Sequence, residues 1–129
     1  MIREILYRGK RIDNSEWIEG TYWQSNESII DKQGYSIKIT PKTVGQYTGL
    51  KDKNGKKIFE GDILRFTRGG NEHIGKVVYE QRICGLDLWY NEVVGAYGEK
   101  ATFRISLTEP TKLEVIGNIY DTPELLEVE

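Results

Sequence analysis

The sequence predicts a mostly β protein built from short antiparallel strands and hairpins. Aromatic and β-branched residues are plentiful and glycine numbers 14, whereas alanine occurs only at Ala96 and Ala101. Long helices need good helix formers, while strands favour β-branched and aromatic side chains, so this composition is typical of β structure. Short apolar segments also recur about every 8–12 residues between turn-type clusters, a spacing that predicts a small barrel or a sandwich.

The N-terminal part predicts four short strands separated by turns. Pro41 ends the fourth strand because proline has no NH for a sheet ladder, and it biases Thr40 toward extended geometry, so "TPKTVG" is interpreted as a connection. The clusters "DNS", "QSN" and "KQG" are rich in turn-forming residues. The strands that they separate are "EILYRGKRI", "EWIEGTYW", "ESIID" and "YSIKIT".

The central stretch "VGQYTGLKDKNGKKIFEGDILRF" predicts a hairpin followed by a second sharp turn. Asn54 and Gly55 tolerate the positive φ that a type I′ turn needs at both central positions, so "YTGLKD" is expected to pair with "KKIFEG". Gly61 and Asp62 follow where the chain turns into "ILRF". A turn aspartate commonly accepts backbone NH bonds, so Asp62 is predicted to be structural.

Four further strands and one short helix are predicted after the hairpin. In "ATFRISL", Phe103, Ile105 and Leu107 share one face and polar residues share the other, as a half-buried strand requires. In "TPELLE", Thr122 is expected to be the N-cap and Pro123 to lie in the first turn of the helix. The other predicted strands are "GKVVYE", "GLDLWY" and "KLEVIGNIY".

Composition and charge indicate a soluble globular protein of one domain. The chain has 129 residues, 38% of them hydrophobic and 29% charged, and its net charge is −2 with both signs interspersed. This balance weighs against non-specific nucleic-acid binding. "KDKNGKK" and "RFTRGG" would form a basic face if they met in space; otherwise the first is a solvated hairpin tip.

The sequence also favours a cytoplasmic location. "MIREILYRGKR" has no signal-peptide core, and no apolar run approaches membrane length. Cys84 is the single cysteine, so no disulfide within the chain is expected, which suits a reducing compartment.

Two stretches come close to a phosphate-binding loop, which needs two glycines spaced by four residues, then lysine and a hydroxyl residue. "GLKDKNGKK" has five residues between its glycines and puts Lys57 at the hydroxyl position, and "GNEHIGKVV" has the right spacing but puts Val77 there. Both continue into predicted strands, whereas the motif needs a helix N-terminus. We therefore interpret both as turns.

No catalytic, cofactor-binding or metal site is predicted. Asp52, Glu60 and Asp62 are close in sequence and could serve as acid and base or as a weak calcium site, but surface carboxylates explain them better. His73 is interpreted as an exposed loop histidine, and Cys84 as a small buried hydrophobe.

Large aromatic residues are more numerous than a core of this size must hold. Trp and Tyr supply large contact area at low entropy cost, so we expect some of them at an interface. The candidate interaction surface consists of Trp17, Tyr22, Trp23, Tyr47 and Trp89.

Three blocks of the sequence resemble the YopX family of phage and prophage proteins: "REILYRGKRIDNSEWIEG", "VGQYTGLKDKNGKKIFEGDIL" and "EVIGNIYDTPELLE". The resemblance covers nearly the whole chain and is most specific in the central block. It implies one domain over 1–129, with hairpins in 1–43 and a hairpin plus an SH3-like small barrel in 44–129. It further implies homo-oligomers and a bacterial host, and it supplies no catalytic residues.

Three functions follow as hypotheses, and the first is preferred. It is a non-enzymatic interaction module that self-associates through exposed aromatics and an edge strand and binds a phage or host protein. The second is a small-barrel nucleic-acid binder, with aromatics that stack bases and a basic rim that follows phosphates. The third is a hydrolase that uses Asp52, Glu60 and Asp62.

Overall fold

The computed structural model describes residues 5–80, 85–94 and 99–126, and the chain divides into two compact units, Met1–Leu50 and Lys51–Glu129. The mostly β prediction is confirmed, because strands dominate both units and the described helices are 3₁₀ segments of three or four residues. The strands are β1 (Tyr7–Lys10), β2 (Trp17–Trp23), β3 (Ser28–Ile30), β4 (Ser36–Lys38), β5 (Gly45–Lys51), β6 (Lys57–Phe59), β7 (Asp62–Arg68), β8 (Asn71–Glu80), β9 (Gly85–Val94), β10 (Glu99–Ser106) and β11 (Thr111–Asn118). Cys84 lies outside the described residues.

The first unit is an antiparallel sheet in which β1 lies between β2 and β5, and β3 and β4 follow beyond β2. Ile29 and Ile39 are fully buried in this unit. Gly9 allows this packing, because a Cβ at that position would lie 3.3 Å from the Cβ of Ile39. The connection after β4 contains the 3₁₀ turn Pro41–Thr43, and the hydroxyl of Thr43 accepts the NH of Lys10 at 2.9 Å.

The second unit contains a five-stranded antiparallel sheet in the order β10-β9-β8-β7-β11. The prediction of an SH3-like barrel is wrong in one respect, which is that the barrel is not closed. β10 and β11 are the two edge strands of the sheet and do not pair with each other. Only residues 107–110 connect them, about 17 Å of chain at full extension, whereas the edges of a flat five-stranded sheet are about 19 Å apart. The sheet therefore curls toward a barrel without closing its hydrogen-bond ladder.

One face of this sheet forms the core of the second unit. Strand alternation places on that face the buried side chains of Leu64, Phe66, Val77, Leu88, Tyr90 and Ile105. Gly75 faces Tyr90 in the neighbouring strand, and a Cβ there would lie 2.6 Å from the carbonyl oxygen of Trp89. A larger residue would therefore push β8 away from β9.

The predicted hairpin between β5 and β6 is present, but the predicted type I′ turn is wrong. The NH of Gly55 donates to the carbonyl of Asp52, and Asp52 NH donates to the carbonyl of Lys56. Gly55 has φ of +81°, whereas Asn54 is not among the residues with positive φ. The loop is a type I turn with glycine in the left-handed position, and the extra residue adds a bulge.

The predicted C-terminal helix is a single 3₁₀ turn at Pro123–Leu126. The hydroxyl of Thr122 accepts the NH of Asn118 at 3.1 Å, so Thr122 ties the turn back to the end of β11. Leu125 packs close to Gly117, where an added Cβ would meet it at 2.9 Å. The segment therefore covers part of the sheet face opposite the core.

Candidate interaction surfaces

Asp52 holds the central hairpin in place through main-chain hydrogen bonds. Its Oδ1 accepts the NH groups of Asn54 at 2.8 Å and Lys56 at 2.9 Å, and its Oδ2 accepts the NH of Val115 at 2.9 Å. Burial raises the pKa of Asp52, but these NH donors and the charge of Lys56 outweigh it and hold the pKa below its ordinary value. The carboxylate thus links the turn to β11.

Asp62 also binds the main chain. It is 1% exposed, and its Oδ2 accepts the NH of Phe59 at 2.7 Å across the turn at Gly61, which has φ of +91°. Within the described residues, no group of three or more His, Cys, Asp or Glu side chains is placed to hold a metal ion. The central stretch therefore contains two turns, each stabilised by hydrogen bonds from backbone NH groups to a carboxylate, Asp52 in one and Asp62 in the other.

His73 lies in β8 and not in a loop, contrary to the prediction. Its register partner is Phe66, and its half-buried ring lies 5.6 Å from the ring of Phe66 and 4.8 Å from the ring of Tyr90. Phe103, the neighbour of Tyr90 in β10, stacks its ring on that of Tyr90 at 5.4 Å. His73 therefore belongs to an aromatic cluster at the rim of the core.

In the first unit, the candidate aromatics lie on both faces of β2. Trp17 and Trp23 share a face, and Trp23 is 47% exposed. The guanidinium carbon of Arg8 lies 4.6 Å from the centre of the Trp17 ring, and Lys10 Nζ lies 5.5 Å from it. Tyr22 faces the other way, with its ring 5.8 Å from that of Tyr7.

Tyr47 differs from the other candidates because it is only 7% exposed and belongs to the buried hydrophobic residues. Its NH donates to the carbonyl of Leu6 at 2.8 Å, which fixes β5 beside the start of the chain's first strand. Little of the Tyr47 side chain is therefore available to another molecule.

In the second unit, Trp89 lies on the sheet face opposite the core. Its direct cross-strand neighbours are Lys76 in β8 and Arg104 in β10. The guanidinium carbon of Arg104 lies 4.4 Å from the centre of the Trp89 ring, a distance typical of a cation–π contact. The three side chains form a row across the sheet that we call the Trp89 row.

The basic segments "KDKNGKK" and "RFTRGG" do meet, but through a shared carboxylate. Glu114 lies 3.7 Å from Lys53 Nζ and 3.2 Å from the guanidinium of Arg65. Arg68 donates to Glu109 at 2.9 Å and to the hydroxyl of Tyr90 at 2.7 Å. These contacts neutralise much of the expected basic face.

The cations beside Trp17 and Trp89 were not among the site residues predicted from the sequence. Arg8 and Lys10 precede Trp17 by seven to nine residues, and Arg104 follows Trp89 by fifteen, so the contacts depend on strand register. The alternation in "ATFRISL" did place Arg104 on the polar face of its strand. The missing information was which strand lies next to it.

No helix in the described part of the chain is long and apolar enough to cross a membrane. The sequence matches the YopX protein family over residues 4–127. The crystal structure of protein EF1440 from Enterococcus faecalis is similar over 95% of this chain and 98% of that one, with 25% sequence identity and a TM-score of 0.52. No curated protein matches the sequence significantly. Since the family match spans almost the whole chain, the protein belongs to the YopX family.

Proposed function

We propose that this protein is a non-enzymatic interaction module, encoded by a phage or prophage and active in the cytoplasm of a bacterial host. It self-associates through the open edge of β10, and it binds a phage or host protein through the first unit. The observation that carries the proposal is that β10 is an eight-residue edge strand that pairs with β9 over its whole length without a bulge or a proline.

The other sheet edges are short or irregular. β4 and β6 have three residues each, and β11 has two register shifts and a positive φ at Lys112. In contrast, β10 has eight residues, and all eight pair with β9 without a shift. Proteins usually protect edges by shortness, bulges, proline or outward charges. The charged residues of β10 are Glu99 and Lys100 at its start and Arg104, so its second half carries one charge.

A second copy of β10 fits this edge in an antiparallel register centred on Phe103. Residues directly opposite each other then share a face, so Phe103 meets its counterpart and Ala101 meets Ile105 on the core side. On the other face, Thr102 lies opposite Arg104 of the second copy. No like charges lie directly opposite in these pairs, and the two aromatic rings add contact area at the centre.

Charge substitutions at Thr102 test this register. Thr102 is exposed, and among the described residues its hydroxyl donates to Oδ1 of Asn91 at 2.8 Å, so Thr102→Lys and Thr102→Glu lose the same contact within one chain. Each dimer would contain two pairs between residue 102 and Arg104, worth about 0.2–1 kcal/mol apiece. Thr102→Lys is expected to weaken the dimer roughly two- to thirtyfold, and Thr102→Glu to strengthen it by a similar factor.

The measurement is size-exclusion chromatography with light scattering over a range of protein and salt concentrations. Wild type is expected to form dimers that are favoured by high salt, because salt screens the two Arg104 side chains near the two-fold axis. A monomer at every concentration would overturn self-association. Equal effects of the two Thr102 variants would overturn this register and the β10 edge as the interface.

The non-enzymatic part of the proposal is supported by how the candidate carboxylates are used. Asp52 and Asp62 are both buried, and both oxygens of Asp52 and Oδ2 of Asp62 accept backbone NH groups. Arg65 and Arg68 form ion pairs with Glu114 and Glu109, so they do not provide the basic rim that the small-barrel nucleic-acid hypothesis requires.

The partner surface consists of Trp17 and Trp23 on β2, with Arg8 and Lys10 over Trp17. Trp23 is 47% exposed, and such an indole fits an apolar pocket on a protein partner. A protein captured from infected host cells is expected to be lost at least tenfold on Trp23→Ala and retained on Tyr35→Ala, an exposed tyrosine outside this surface. Equal capture by both variants would contradict the assignment of this face.

A further inference from the structure

The Trp89 row is a cluster of hydrogen-bond donors on the sheet face opposite the core. Lys76, Trp89 and Arg104 are direct neighbours across β8, β9 and β10. Neighbouring strands are about 4.8 Å apart, so the backbones of Lys76 and Arg104 are roughly 10 Å from each other, with Trp89 between them. Both have side chains long enough to reach a ligand that sits beside the ring.

These cations differ from the other cations on the same sheet. Arg65 and Arg68 have carboxylate partners within 4 Å, whereas among the described residues no carboxylate lies that close to Lys76 or Arg104. Asp87 shares their face, since it lies two residues before Trp89, but it forms no ion pair with either of them in the described part of the chain. Arg104 is exposed, and its guanidinium lies over the ring of Trp89.

The indole of Trp89 adds a third donor. Its Nε1 is buried and has no hydrogen-bond acceptor among the described residues. A buried donor without a partner costs about 1–3 kcal/mol, so such a group usually marks a place where water or a ligand supplies the acceptor. Three donors and no acceptor in one row are the arrangement that an oxyanion requires.

We propose that the Trp89 row binds phosphodiester groups of single-stranded nucleic acid, an activity beyond self-association and protein binding. A guanidinium fork matches two phosphate oxygens, and Lys76 adds a second positive charge. The exposed plane of Arg104 offers a surface on which an unpaired base can stack, which an acidic peptide would not use and a duplex could not reach. Indole Nε1 would donate to a phosphate oxygen once the atoms that bury it move aside.

The test is fluorescence anisotropy with a labelled 12-nucleotide oligothymidine at 20–200 mM salt. Arg104→Gln and Lys76→Gln are each expected to lower affinity about tenfold at low salt and to reduce the salt slope by about one. Arg104→Lys keeps the charge but loses the planar fork, so an intermediate loss is expected. Lys42→Gln, an exposed lysine in the first unit, makes the same charge change and is expected to alter affinity less than twofold.

Several outcomes would overturn the proposal. They are no binding at 20 mM salt, an equal loss in Lys42→Gln, equal affinity for duplex DNA, or tighter binding of a polyglutamate peptide than of the oligonucleotide. Unchanged far-ultraviolet circular dichroism and melting temperature are expected for the variants, because Arg104 is exposed and Lys76 half-buried. The oligomeric state is measured on the same samples, so failure of nucleic-acid binding is distinguished from failure of the β10 dimer.

Discussion

At the scale of single residues, Asp52 shows how a charged group becomes structural when the main chain surrounds it. Oδ1 accepts NH groups of the hairpin turn, and Oδ2 accepts the NH of Val115 in β11. Val115 is 63 residues away from Asp52 in the sequence. Replacing one partner of such bonds leaves buried donors without acceptors, which costs more than the bond itself contributes. The carboxylate is therefore an anchor between segments that are distant along the chain.

This role predicts a specific dependence of stability on pH. Since the pKa of Asp52 lies below its ordinary value of 3.8, its contribution is fully present above that value and is lost as the pH falls through the lower pKa of the folded state. Asp52→Asn is expected to lower the free energy of unfolding by about 1–3 kcal/mol at pH 7, and to have a smaller effect below pH 3. Urea denaturation at pH 7 and pH 2.5 measures both values.

Asp13→Asn is the matched control. The hydrogen bond from Arg11 also lowers the pKa of Asp13, but this pair is exposed and screened by solvent. Its removal is expected to change the urea midpoint very little at either pH. If Asp52→Asn and Asp13→Asn behave alike, the anchoring role of Asp52 is wrong.

At the scale of strands and turns, local patterns in the sequence predict where elements form better than they predict how the elements combine. The alternation of "ATFRISL" corresponds to β10, and the turn signals around Gly55 and Gly61 fall where the chain turns. The turn type was predicted wrongly, because Asp52 stabilises a type I turn by accepting NH bonds that Asn54-Gly55 alone does not reveal. The short C-terminal segment became a 3₁₀ turn because Thr122 bonds back to Asn118.

Sheet order and closure depend on contacts between segments far apart in sequence. Nothing local to "ATFRISL" or "KLEVIGNIY" shows that β10 and β11 end on opposite edges of one sheet. For the same reason, aromatic residues could be selected as candidates from their number, but their environments could not be assigned. Strand register separates them in the structure, placing Arg8 over Trp17 and Arg104 over Trp89 while burying Tyr47.

At the scale of the whole molecule, the proposed dimer and the proposed nucleic-acid site share Arg104, so the two activities should be coupled. In the register centred on Phe103, the two Arg104 residues are diagonal neighbours about 7–8 Å apart. Their repulsion opposes association, whereas a phosphate bound near both would offset it. Any ligand that binds the dimer better than the monomer must stabilise the dimer, and dimerisation must strengthen ligand binding by the same factor.

We therefore expect a saturating hexanucleotide of thymidine to tighten the dimer severalfold at low salt, and to have much less effect on Arg104→Gln, which lacks the cation that the two surfaces share. The oligonucleotide must be short, because a longer strand could carry two monomers without any β10 contact. Analytical ultracentrifugation with and without the hexanucleotide measures the shift, and anisotropy at increasing protein concentration measures the reciprocal effect. If the hexanucleotide instead dissociates the dimer, Arg104 cannot serve both surfaces at once, and the two activities would be mutually exclusive states of the same edge.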